Sequence, residues 1–216
     1  MTFPTARRGR FITFEGGEGA GKSTQIRLLA EALKSDGLDV VMTREPGGSP
    51  GAEAIRKLLV EGEPGRWDGV TETLLFAAAR HDHVERTIRP ALERGAWVLC
   101  DRFTDSTIAY QGYGAGIDVE LISQLSLAAT GGIAPDLTVI LDLPVEVGLR
   151  RAASRADGED RFERKGAEFH TRLRNGFLTI AKAEPGRCAV IDASASVDTV
   201  SQEISKVVAV RLKSTA

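Results

Sequence analysis

Short apolar runs alternate with longer amphipathic stretches along most of the chain. The runs are almost continuously hydrophobic and β-prone, and they cover residues 10–15, 38–43, 96–100, 137–143 and 188–192. Strands of a parallel sheet have this pattern because helices cover the sheet on both sides, so that both faces of each strand are buried. The pattern therefore predicts five strands of a parallel sheet.

The stretches between these runs carry apolar residues at helical spacing. They predict helices at about residues 22–35, 51–61, 70–94, 118–130, 145–154, 162–184 and 197–212. Alternating strands and helices are typical of a doubly wound α/β fold, which binds ligands at the carboxyl ends of its strands. We therefore expect an α/β domain built on a five-stranded parallel sheet flanked by helices.

The predicted helix at 70–94 has two distinct faces. One apolar stripe is expected to face the core, and its members are Leu74, Ala78, Ile88 and Leu92. Phe76 and Arg80 lie one turn apart, nearly opposite that stripe. An aromatic ring and a guanidinium so placed suit a base and a phosphate, but a central helix that buries two sides would also enclose them. Helical projection does not decide between a ligand site and a second packing face.

Composition fits one domain and excludes several classes of function. The 216 residues suit a single domain over 1–216, with a flexible tail at 1–9 and a lid at 152–163. The net charge of −2 gives no global attraction to nucleic acid or to a membrane surface, and no apolar stretch approaches the length of a membrane span. Cys100 and Cys188 fall in or beside apolar runs, as reduced core residues of a cytoplasmic enzyme would.

Residues 16–23 read G-x-x-x-x-G-K-S, between the first predicted strand and the first predicted helix. The glycines let backbone N–H groups turn inward around phosphate oxygens, and the helix adds the positive end of its dipole. In this motif the lysine, here Lys22, bridges the β- and γ-phosphates, and the hydroxyl of Ser23 holds Mg²⁺. A glycine-rich turn with a solvated lysine is the alternative, but the strand and the helix on either side disfavour it. The chain is therefore predicted to bind a nucleoside triphosphate.

Two further segments follow predicted strands at the same edge of the sheet. After the third strand, Asp101 can organise Mg²⁺ and Arg102 can hold a second phosphate, although a surface Asp–Arg pair is the alternative. After the second strand, residues 43–48 read T-R-E-P-G-G, a rigid loop suited to one wall of a second pocket. Turn chemistry alone explains that loop equally well.

Arginines crowd the predicted lid and its approaches, at positions Arg150, Arg151, Arg155, Arg161 and Arg164. Such a charge run is usually a solvated face. In a phosphoryl-transfer enzyme, an arginine brought over the γ-phosphate accelerates the reaction on the order of 10³–10⁵-fold. Closure of a lid would also exclude water from the reacting phosphates.

Together these segments resemble the bacterial thymidylate kinases. The similarity rests on F-E-G-G-E-G-A-G-K-S-T at 14–24, T-R-E-P-G-G at 43–48, L-F-A-A-A-R at 75–80 and D-R-F-T-D-S-T-I-A-Y-Q at 101–111. The last segment is specific, whereas the phosphate loop alone fits many NTPases. The resemblance implies a P-loop kinase fold and transfer of the γ-phosphoryl group of Mg-ATP to dTMP, which gives dTDP for dTTP synthesis.

The resemblance also implies the donor side of the site. The expected ATP-binding residues are Gly16, Gly17, Glu18, Gly19, Ala20, Gly21, Lys22, Ser23 and Thr24. Ser23, Asp101 and Glu18 would hold Mg²⁺, and the adenine would lie near Arg151 and Ala193.

On the acceptor side, the resemblance places Phe76 against thymine beside Pro46. Arg80 and Thr107 would hydrogen-bond the base, next to Gln111, and Tyr110 would crowd the position of a ribose 2′-OH. Arg102 would hold the acceptor phosphate, while Glu18 would reach the sugar hydroxyl or a metal-bound water. The expected dTMP-binding residues are Glu45, Pro46, Phe76, Arg80, Arg102, Ser106, Thr107, Tyr110 and Gln111.

Some members of the family carry an arginine inside the phosphate loop, where this chain has Gly19. The transferring phosphoryl group needs a cation, and the loop supplies only Lys22. We therefore expect the catalytic guanidinium to come from Arg155, Arg151 or Arg161, acting with Lys22, Glu18 and Arg102.

The family usually forms homodimers, which we expect here, with no nucleic-acid or membrane partner. The alternatives are another nucleotide or deoxynucleoside kinase and a regulatory P-loop NTPase. A guanine-specific switch usually carries an Asn/Thr-Lys-x-Asp segment, and the single asparagine of this chain, Asn175, lies in R-N-G-F. The net charge and the lack of a basic stripe disfavour an ATPase that acts on nucleic acid.

Overall fold

The sheet contains five parallel strands. In the computed structural model, which describes residues 8–63, 65–153, 161–162 and 164–213, the strands are β1 (Phe11–Glu15), β2 (Val40–Arg44), β3 (Trp97–Asp101), β4 (Leu137–Asp142) and β5 (Cys188–Asp192). Their order is β2-β3-β1-β4-β5, and every neighbouring pair is parallel. The predicted five-stranded parallel sheet is confirmed.

Helices flank this sheet on both sides. They are α1 (Lys22–Ser35), α2 (Pro50–Val60), α3 (Gly69–His83), α4 (Arg89–Glu93), α5 (Thr104–Thr107), α6 (Val119–Thr130), α7 (Val145–Ala153), α8 (Ala167–Ala183) and α9 (Val197–Val208). Wider π-helical turns lie at Val84–Ile88, Ile108–Gly114 and Ala209–Lys213. The predicted α/β fold is thereby confirmed.

The core occupies both faces of the sheet because successive residues of a strand point to opposite sides. Phe11 packs on one face with Ile88 and, edge to face, with Phe103. Ile12 packs on the other face with Leu29 and Ile204. Helices on both sides therefore hold β1 at the centre of the domain.

The register of the strands brings their carboxyl ends together. Asp101 of β3 pairs with Phe14 of β1 on one side and with Arg44 of β2 on the other. Glu15, the last residue of β1, pairs with Ile140 of β4. The three segments that follow β1, β2 and β3 therefore meet at one edge, where this class of sheet binds its ligands.

The predicted core stripe of helix 70–94 is wrong in its first half. Ile88 and Leu92 are buried, but Leu74 is 49% exposed and Ala78 is exposed as well. The projection assumed one continuous α-helix, whereas the π-helical turn at Val84–Ile88 separates α3 from α4. Such a turn holds more residues than an α-helical turn and therefore rotates the two halves relative to each other.

The predicted tail and lid lie partly outside the described residues, which omit 1–7, 154–160 and 163. Gly9, at the end of the predicted tail, is buried, and its N–H donates to the carbonyl oxygen of Leu92 at 2.8 Å. A Cβ atom on Gly9 would collide with the backbone of Ala96. Gly9 therefore belongs to the packed domain.

Cys100 and Cys188 are both buried, and neither forms a disulfide. Burial raises the pKa of both thiols, to about 11 for Cys188 and well above its usual range for Cys100. Their prediction as reduced core residues is confirmed. As for membranes, each helix in the described part of the chain is too short or too polar to cross one.

Candidate active site

The phosphate loop connects β1 to α1 and requires glycine at several positions. Gly16, Gly19 and Gly21 have φ angles of 129°, 66° and 91°, which favour glycine strongly. A Cβ atom would collide with the carbonyl oxygen of Leu141 at Gly16 and with that of Gly148 at Gly19. The loop is thus held close to β4 and α7.

Lys22 begins α1 and turns its side chain back into the loop. Its Nζ donates to the carbonyl oxygens of Gly17 at 3.0 Å and Gly16 at 3.3 Å, and the side chain is buried. Burial lowers the pKa of Lys22, and the positive charge of Arg102 adds to that effect. The first turn of α1 contains no acidic residue, so the positive end of its dipole is open to an anion.

Ser23 and Asp101 lie side by side across the start of α1 and the end of β3. The hydroxyl of Ser23 donates to Oδ2 of Asp101 at 2.9 Å. Hydroxyl and carboxylate oxygens are ligands that Mg²⁺ accepts, and Mg²⁺ completes its shell with water and substrate phosphates. The described residues contain no group of three or more His, Cys, Asp or Glu that could hold a metal ion alone. The Ser23–Asp101 pair therefore fits a magnesium ion shared with a nucleotide.

Arg102 connects the phosphate loop to the segment after β3. It is a non-glycine residue with a positive φ of 69°. Its guanidinium donates to the carbonyl oxygen of Gly16 at 3.0 Å, to Oγ of Ser106 at 3.2 Å and to Oε1 of Glu18 at 3.0 Å. It also lies over the ring of Tyr110, 4.9 Å from the centroid. These contacts fix the guanidinium beside the phosphate loop.

Glu18 shares this cluster instead of facing the Ser23–Asp101 pair. Oε1 of Glu18 accepts hydrogen bonds from Arg102 and from the hydroxyl of Tyr110. Burial alone would raise the pKa of Glu18, but Arg102, Lys22 and the Tyr110 hydrogen bond outweigh it and lower the pKa to about 2. Glu18 is therefore ionised at neutral pH, and its role as a metal ligand stays a prediction.

Glu15 is a buried acid that sequence reasoning missed. It accepts hydrogen bonds from the backbone N–H of Phe103 at 2.8 Å and from Oγ of Ser106 at 2.5 Å. Burial, with the nearby charge of Asp105, raises the pKa of Glu15 to about 8. The sequence shows only that an acidic residue ends an apolar strand. It does not reveal that Phe103 and Ser106 hydrogen-bond to that acid.

A continuous cavity of about 630 Å³ joins the phosphate loop to an aromatic slot. Its phosphate end is lined by residues 18–24, Asp101 and Arg151. Its far end is lined by Pro46, Phe76 and Phe162 among others, with Arg102 and Tyr110 between the two ends. The structure thus brings donor residues 18–24 and all of the predicted acceptor residues into one site, whereas Gly16 and Gly17 do not line it.

Arg80 is buried at the far end of the cavity. Its Nε donates to Oε2 of Glu45 at 2.8 Å, and its Nη2 donates to the carbonyl oxygen of Phe103 at 3.0 Å and to Oγ1 of Thr107 at 2.9 Å. His83 supports this arrangement, since its Nδ1 lies 3.0 Å from Oε1 of Glu45. The Nη1 group of Arg80 has no hydrogen-bond acceptor among the described residues.

Gln111 lies at the same end of the cavity and is almost completely buried. Its Nε2 donates to Oε1 of Glu72 at 2.8 Å. Phe76, half-buried on α3, lines the cavity with Gln111. The helical projection left open whether Phe76 and Arg80 form a ligand site or a second packing face. The structure shows features of both, because each side chain packs against the protein and each lines the cavity.

Two of the three candidate catalytic arginines lie among the described residues, and they are in different places. Arg151 lines the phosphate end of the cavity, and its Nη1 donates to the carbonyl oxygen of Ala193 at 3.4 Å. Arg161 instead lies against Glu72, with 2.6 Å between Nη2 and Oε2. Arg155 lies outside the described residues. The placement favours Arg151 over Arg161, and the catalytic role stays a prediction.

Sequence reasoning also missed three other contributors. Arg56 lines the cavity and donates to the carbonyl oxygen of Pro46 at 2.6 Å. Phe162 packs between Phe76 and Tyr110, with ring centroids 6.2 Å and 5.6 Å away. Glu72 holds Gln111, as described above. None of them belongs to a recognisable motif, so only the folded chain reveals them.

A sequence model described as "Thymidylate kinase" matches residues 14–204. That span includes the phosphate loop and every residue that lines the cavity. The chain belongs to the thymidylate kinase family.

Individual members of the thymidylate kinase family are similar over nearly the whole chain. The thymidylate kinase of Caulobacter vibrioides is 63% identical over 205 residues, which cover 95% of this chain and 98% of that protein. The thymidylate kinase of Afipia carboxidovorans is 56% identical over 209 residues, or 96% and 92% of the two chains. The crystal structure of thymidylate kinase from Ehrlichia chaffeensis superposes with a TM-score of 0.75 at 40% identity, covering 93% and 99%.

Proposed function

We propose that the chain transfers the γ-phosphoryl group of Mg-ATP to dTMP, giving dTDP for dTTP synthesis. Membership of the thymidylate kinase family supports phosphorylation of dTMP. The observation that carries the proposal is the single cavity that joins a phosphate loop to an aromatic slot, with Arg102 between them. Two nucleotides bound at the two ends of this cavity would bring their phosphates together near the arginine.

On the donor side, the loop amides, Lys22 and the start of α1 would bind the triphosphate. Ser23 and Asp101 would hold Mg²⁺, which supplies positive charge to the transferring phosphoryl group. Lys22 already lies inside the loop, where its ammonium would exchange two carbonyl oxygens for phosphate oxygens. Arg151 and Arg155 are the proposed additional cations.

On the acceptor side, Arg102 would hold the monophosphate of dTMP. Its guanidinium is fixed beside the loop, so an acceptor phosphate bound there is brought close to the donor. Glu18 would accept a hydrogen bond from the sugar hydroxyl or from a metal-bound water. Tyr110 would occupy the space that a 2′-hydroxyl group needs. Because a phosphate oxygen is already nucleophilic, positioning and charge neutralisation carry the catalysis.

The thymine would lie in the aromatic slot. Phe76 would stack on the base beside Pro46, and Arg80, with Thr107, would hydrogen-bond it. Glu45 orients Arg80 through its Nε, so Nη1 of Arg80 would be the group that donates to a base oxygen. Ser106 would support the acceptor phosphate through Arg102.

The reaction is tested by measuring ADP formation with dTMP, dUMP, dCMP or thymidine as the acceptor. We expect the highest kcat/KM with dTMP and equal amounts of ADP and dTDP. Hydrolysis of ATP without an acceptor would favour a regulatory NTPase. Phosphorylation of thymidine in preference to dTMP would favour a deoxynucleoside kinase.

We also propose that the enzyme is a cytoplasmic homodimer that joins through α3 and α6. Val70 and Leu74 lie one turn apart on α3 and are 43% and 49% exposed, and Leu127 on α6 is 65% exposed. The two helices pack against each other, so their exposed apolar side chains suit a second copy of the chain. Free buried thiols at Cys100 and Cys188 are typical of a reducing compartment.

A further inference from the structure

Arg161 is the largest of the fully buried side chains in the described part of the chain, with 1% of its surface exposed. Its Nη2 lies 2.6 Å from Oε2 of Glu72, and its Nη1 donates to the carbonyl oxygen of Leu59 at 2.8 Å. Leu59 lies near the end of α2 and Glu72 near the start of α3. Arg161 therefore binds to α2 and α3 on the acceptor side of the cavity. These contacts lie away from the phosphate loop.

Glu72 passes this contact on to the cavity wall. Its second oxygen, Oε1, accepts the hydrogen bond from Nε2 of Gln111 at 2.8 Å. Glu72 and Gln111 are 3% and 1% exposed, so water does not compete for either bond. Arg161, Glu72 and Gln111 thus form one buried chain of contacts that ends at the cavity.

This chain of contacts fixes the direction of the Gln111 amide. A carboxylate paired with a guanidinium accepts hydrogen bonds at both oxygens and donates none. Only the NH₂ end of Gln111 can therefore face Glu72, which directs the other end, Oε1, away from it. Without Arg161, the buried carboxylate of Glu72 would lose its direct ion pair, and Lys165 would be the cation left near it.

The fixed amide matches one type of pyrimidine edge. Thymine presents O4 as an acceptor beside N3–H as a donor, whereas cytosine presents an amino group beside an unprotonated N3. In the aromatic slot where the base is placed above, Nη1 of Arg80 can donate, and Oε1 of Gln111, at the same end of the cavity, can accept. We propose that Arg161 and Glu72 are positioning residues that hold the Gln111 amide in the direction that accepts thymine and rejects cytosine. The proposal rests on the placement of the base in the aromatic slot.

Arg161 also contacts the aromatic wall of the slot. Phe162 follows Arg161 directly, and its ring lies 5.1 Å from the Arg161 guanidinium. The ring of Phe162 packs edge-on against Tyr110 and tilted against Phe76. Arg161 therefore contributes to base selection both through Glu72 and through the residue next to it.

The test compares Glu72→Ala with the wild-type enzyme on dTMP and dCMP. We expect KM for dTMP to rise about tenfold, while KM for ATP stays within about twofold. We also expect the ratio of kcat/KM for dTMP to that for dCMP to fall about tenfold or more, because the freed amide can present its NH₂ group to N3 of cytosine. A purely structural role would lower the folded fraction without changing that ratio.

Glu63→Ala is the matched control. Glu63 pairs with Arg164 at 3.4 Å, so it joins nearly the same two parts of the chain, but it is 83% exposed. We expect this variant to keep both KM values and the dTMP-to-dCMP ratio. If Glu72→Ala does not fold, Glu72→Gln keeps the shape, and its amide both donates and accepts. The ratio is then expected to fall at least threefold, and an unchanged ratio would overturn the proposal.

A double-mutant cycle with Gln111→Ala separates this proposal from the proposed function. If Glu72 acts through Gln111, adding Glu72→Ala to Gln111→Ala leaves the dTMP-to-dCMP ratio where Gln111→Ala alone put it. If the double variant instead loses the full factor that Glu72→Ala alone removes from the ratio, Glu72 acts by another route, which would refute the positioning role. Two other outcomes would instead contradict the placement of the base. One is a wild-type enzyme that does not phosphorylate dTMP, and the other is an unchanged KM for dTMP in Gln111→Ala.

Discussion

At the scale of single residues, Arg102 and Glu18 form the junction between the two halves of the cavity. The guanidinium of Arg102 reaches the backbone of the phosphate loop, Ser106 and Glu18 at the same time. The low pKa of Glu18 keeps it negative, so its charge balances that of Arg102. In the proposed mechanism, an incoming monophosphate would have to compete with Glu18 for the guanidinium, which would favour ligands with two negative charges.

Replacing Arg102 should affect one substrate much more than the other. We expect Arg102→Ala to raise KM for dTMP on the order of 10- to 100-fold, because a charge-assisted hydrogen bond to the phosphate is lost. KM for ATP should change far less. Steady-state kinetics with each substrate varied in turn measures both values, and equal increases would contradict the assigned role. Arg86→Ala is the control, since Arg86 pairs with Asp82 on the surface.

Glu15 should give the folding stability a distinct pH dependence. Its pKa is raised to about 8 in the folded state, so the unfolded chain loses this proton at lower pH than the folded chain does. The contribution of Glu15 is thus fully present below about pH 4.5 and is lost as the pH rises to about 8, by on the order of 1 kcal/mol per pH unit at most. Glu15→Gln should remove this decline.

Urea unfolding of both proteins between pH 5 and 8 measures the effect. The free energy of unfolding of Glu15→Gln should rise relative to wild type as the pH increases. Parallel pH profiles of the two proteins would show that Glu15 does not carry a raised pKa.

At the scale of elements, α3 presents different side chains to the cavity and to solvent. Phe76 and Arg80 reach the cavity, while Leu74 is half exposed on another side of the same helix. The π-helical turn at Val84–Ile88 lets its own Ile88 and Leu92 of α4 face the core without moving Leu74 there. The helix therefore serves the site at one end and the core at the other.

This division of faces predicts opposite outcomes for two neighbouring substitutions. Phe76→Ala should weaken dTMP binding by about 1–3 kcal/mol, the scale of a lost base–aromatic contact. Leu74→Ala removes a side chain of similar character that does not line the cavity, and it should leave dTMP affinity unchanged. Calorimetric titration of each variant with dTMP measures the difference. Equal affinities of Phe76→Ala and wild type would mean that the ring only fills the core.

Elements with strong local patterns could be predicted closely. β5 has the expected bounds, while β2 begins at Val40 instead of residue 38. The segment from α5 through Gly114 was missed because its Thr, Ser and Gly residues have weak helix propensity. In the folded chain, α8 stabilises this segment, where Gly176 allows close approach of Tyr113.

The site was predictable where it is local in sequence. The phosphate loop and the pair Asp101–Arg102 each consist of adjacent residues, so motif and position were enough to predict that they lie at the same edge of the sheet. Arg161 and Glu72 are far apart in sequence, and neither position reveals the other. Their pairing, and the acid at Glu15, depend on how distant segments pack, which periodicity does not encode.

At the scale of the whole molecule, α3 carries cavity residues on one side and, next to α6, exposed apolar side chains on another. Phe76 of α3 lines the cavity, whereas Val70 and Leu74 of α3 and Leu127 of α6 are exposed. An interface formed there would therefore use a side of α3 that does not line the aromatic slot.

Introducing a charge on this surface should separate the two chains. We expect wild-type enzyme to be a dimer in solution and Leu74→Glu to be a monomer, because burying an unpaired carboxylate opposes association. Light scattering after size-exclusion chromatography measures the mass of each. Val210→Glu, at a residue that is 72% exposed near the carboxyl end, is the control and should remain dimeric. A monomeric wild-type protein, or a dimeric Leu74→Glu, would contradict the proposed interface.

The two buried cysteines have a practical consequence for spectroscopy. Maleimide and iodoacetamide dyes attack a thiolate that they can reach, and neither Cys100 nor Cys188 offers one at neutral pH. A cysteine introduced at an exposed position such as Ser35 can therefore be labelled alone, with both native thiols retained. A fluorophore attached in this way would mark one known position on an otherwise unaltered enzyme.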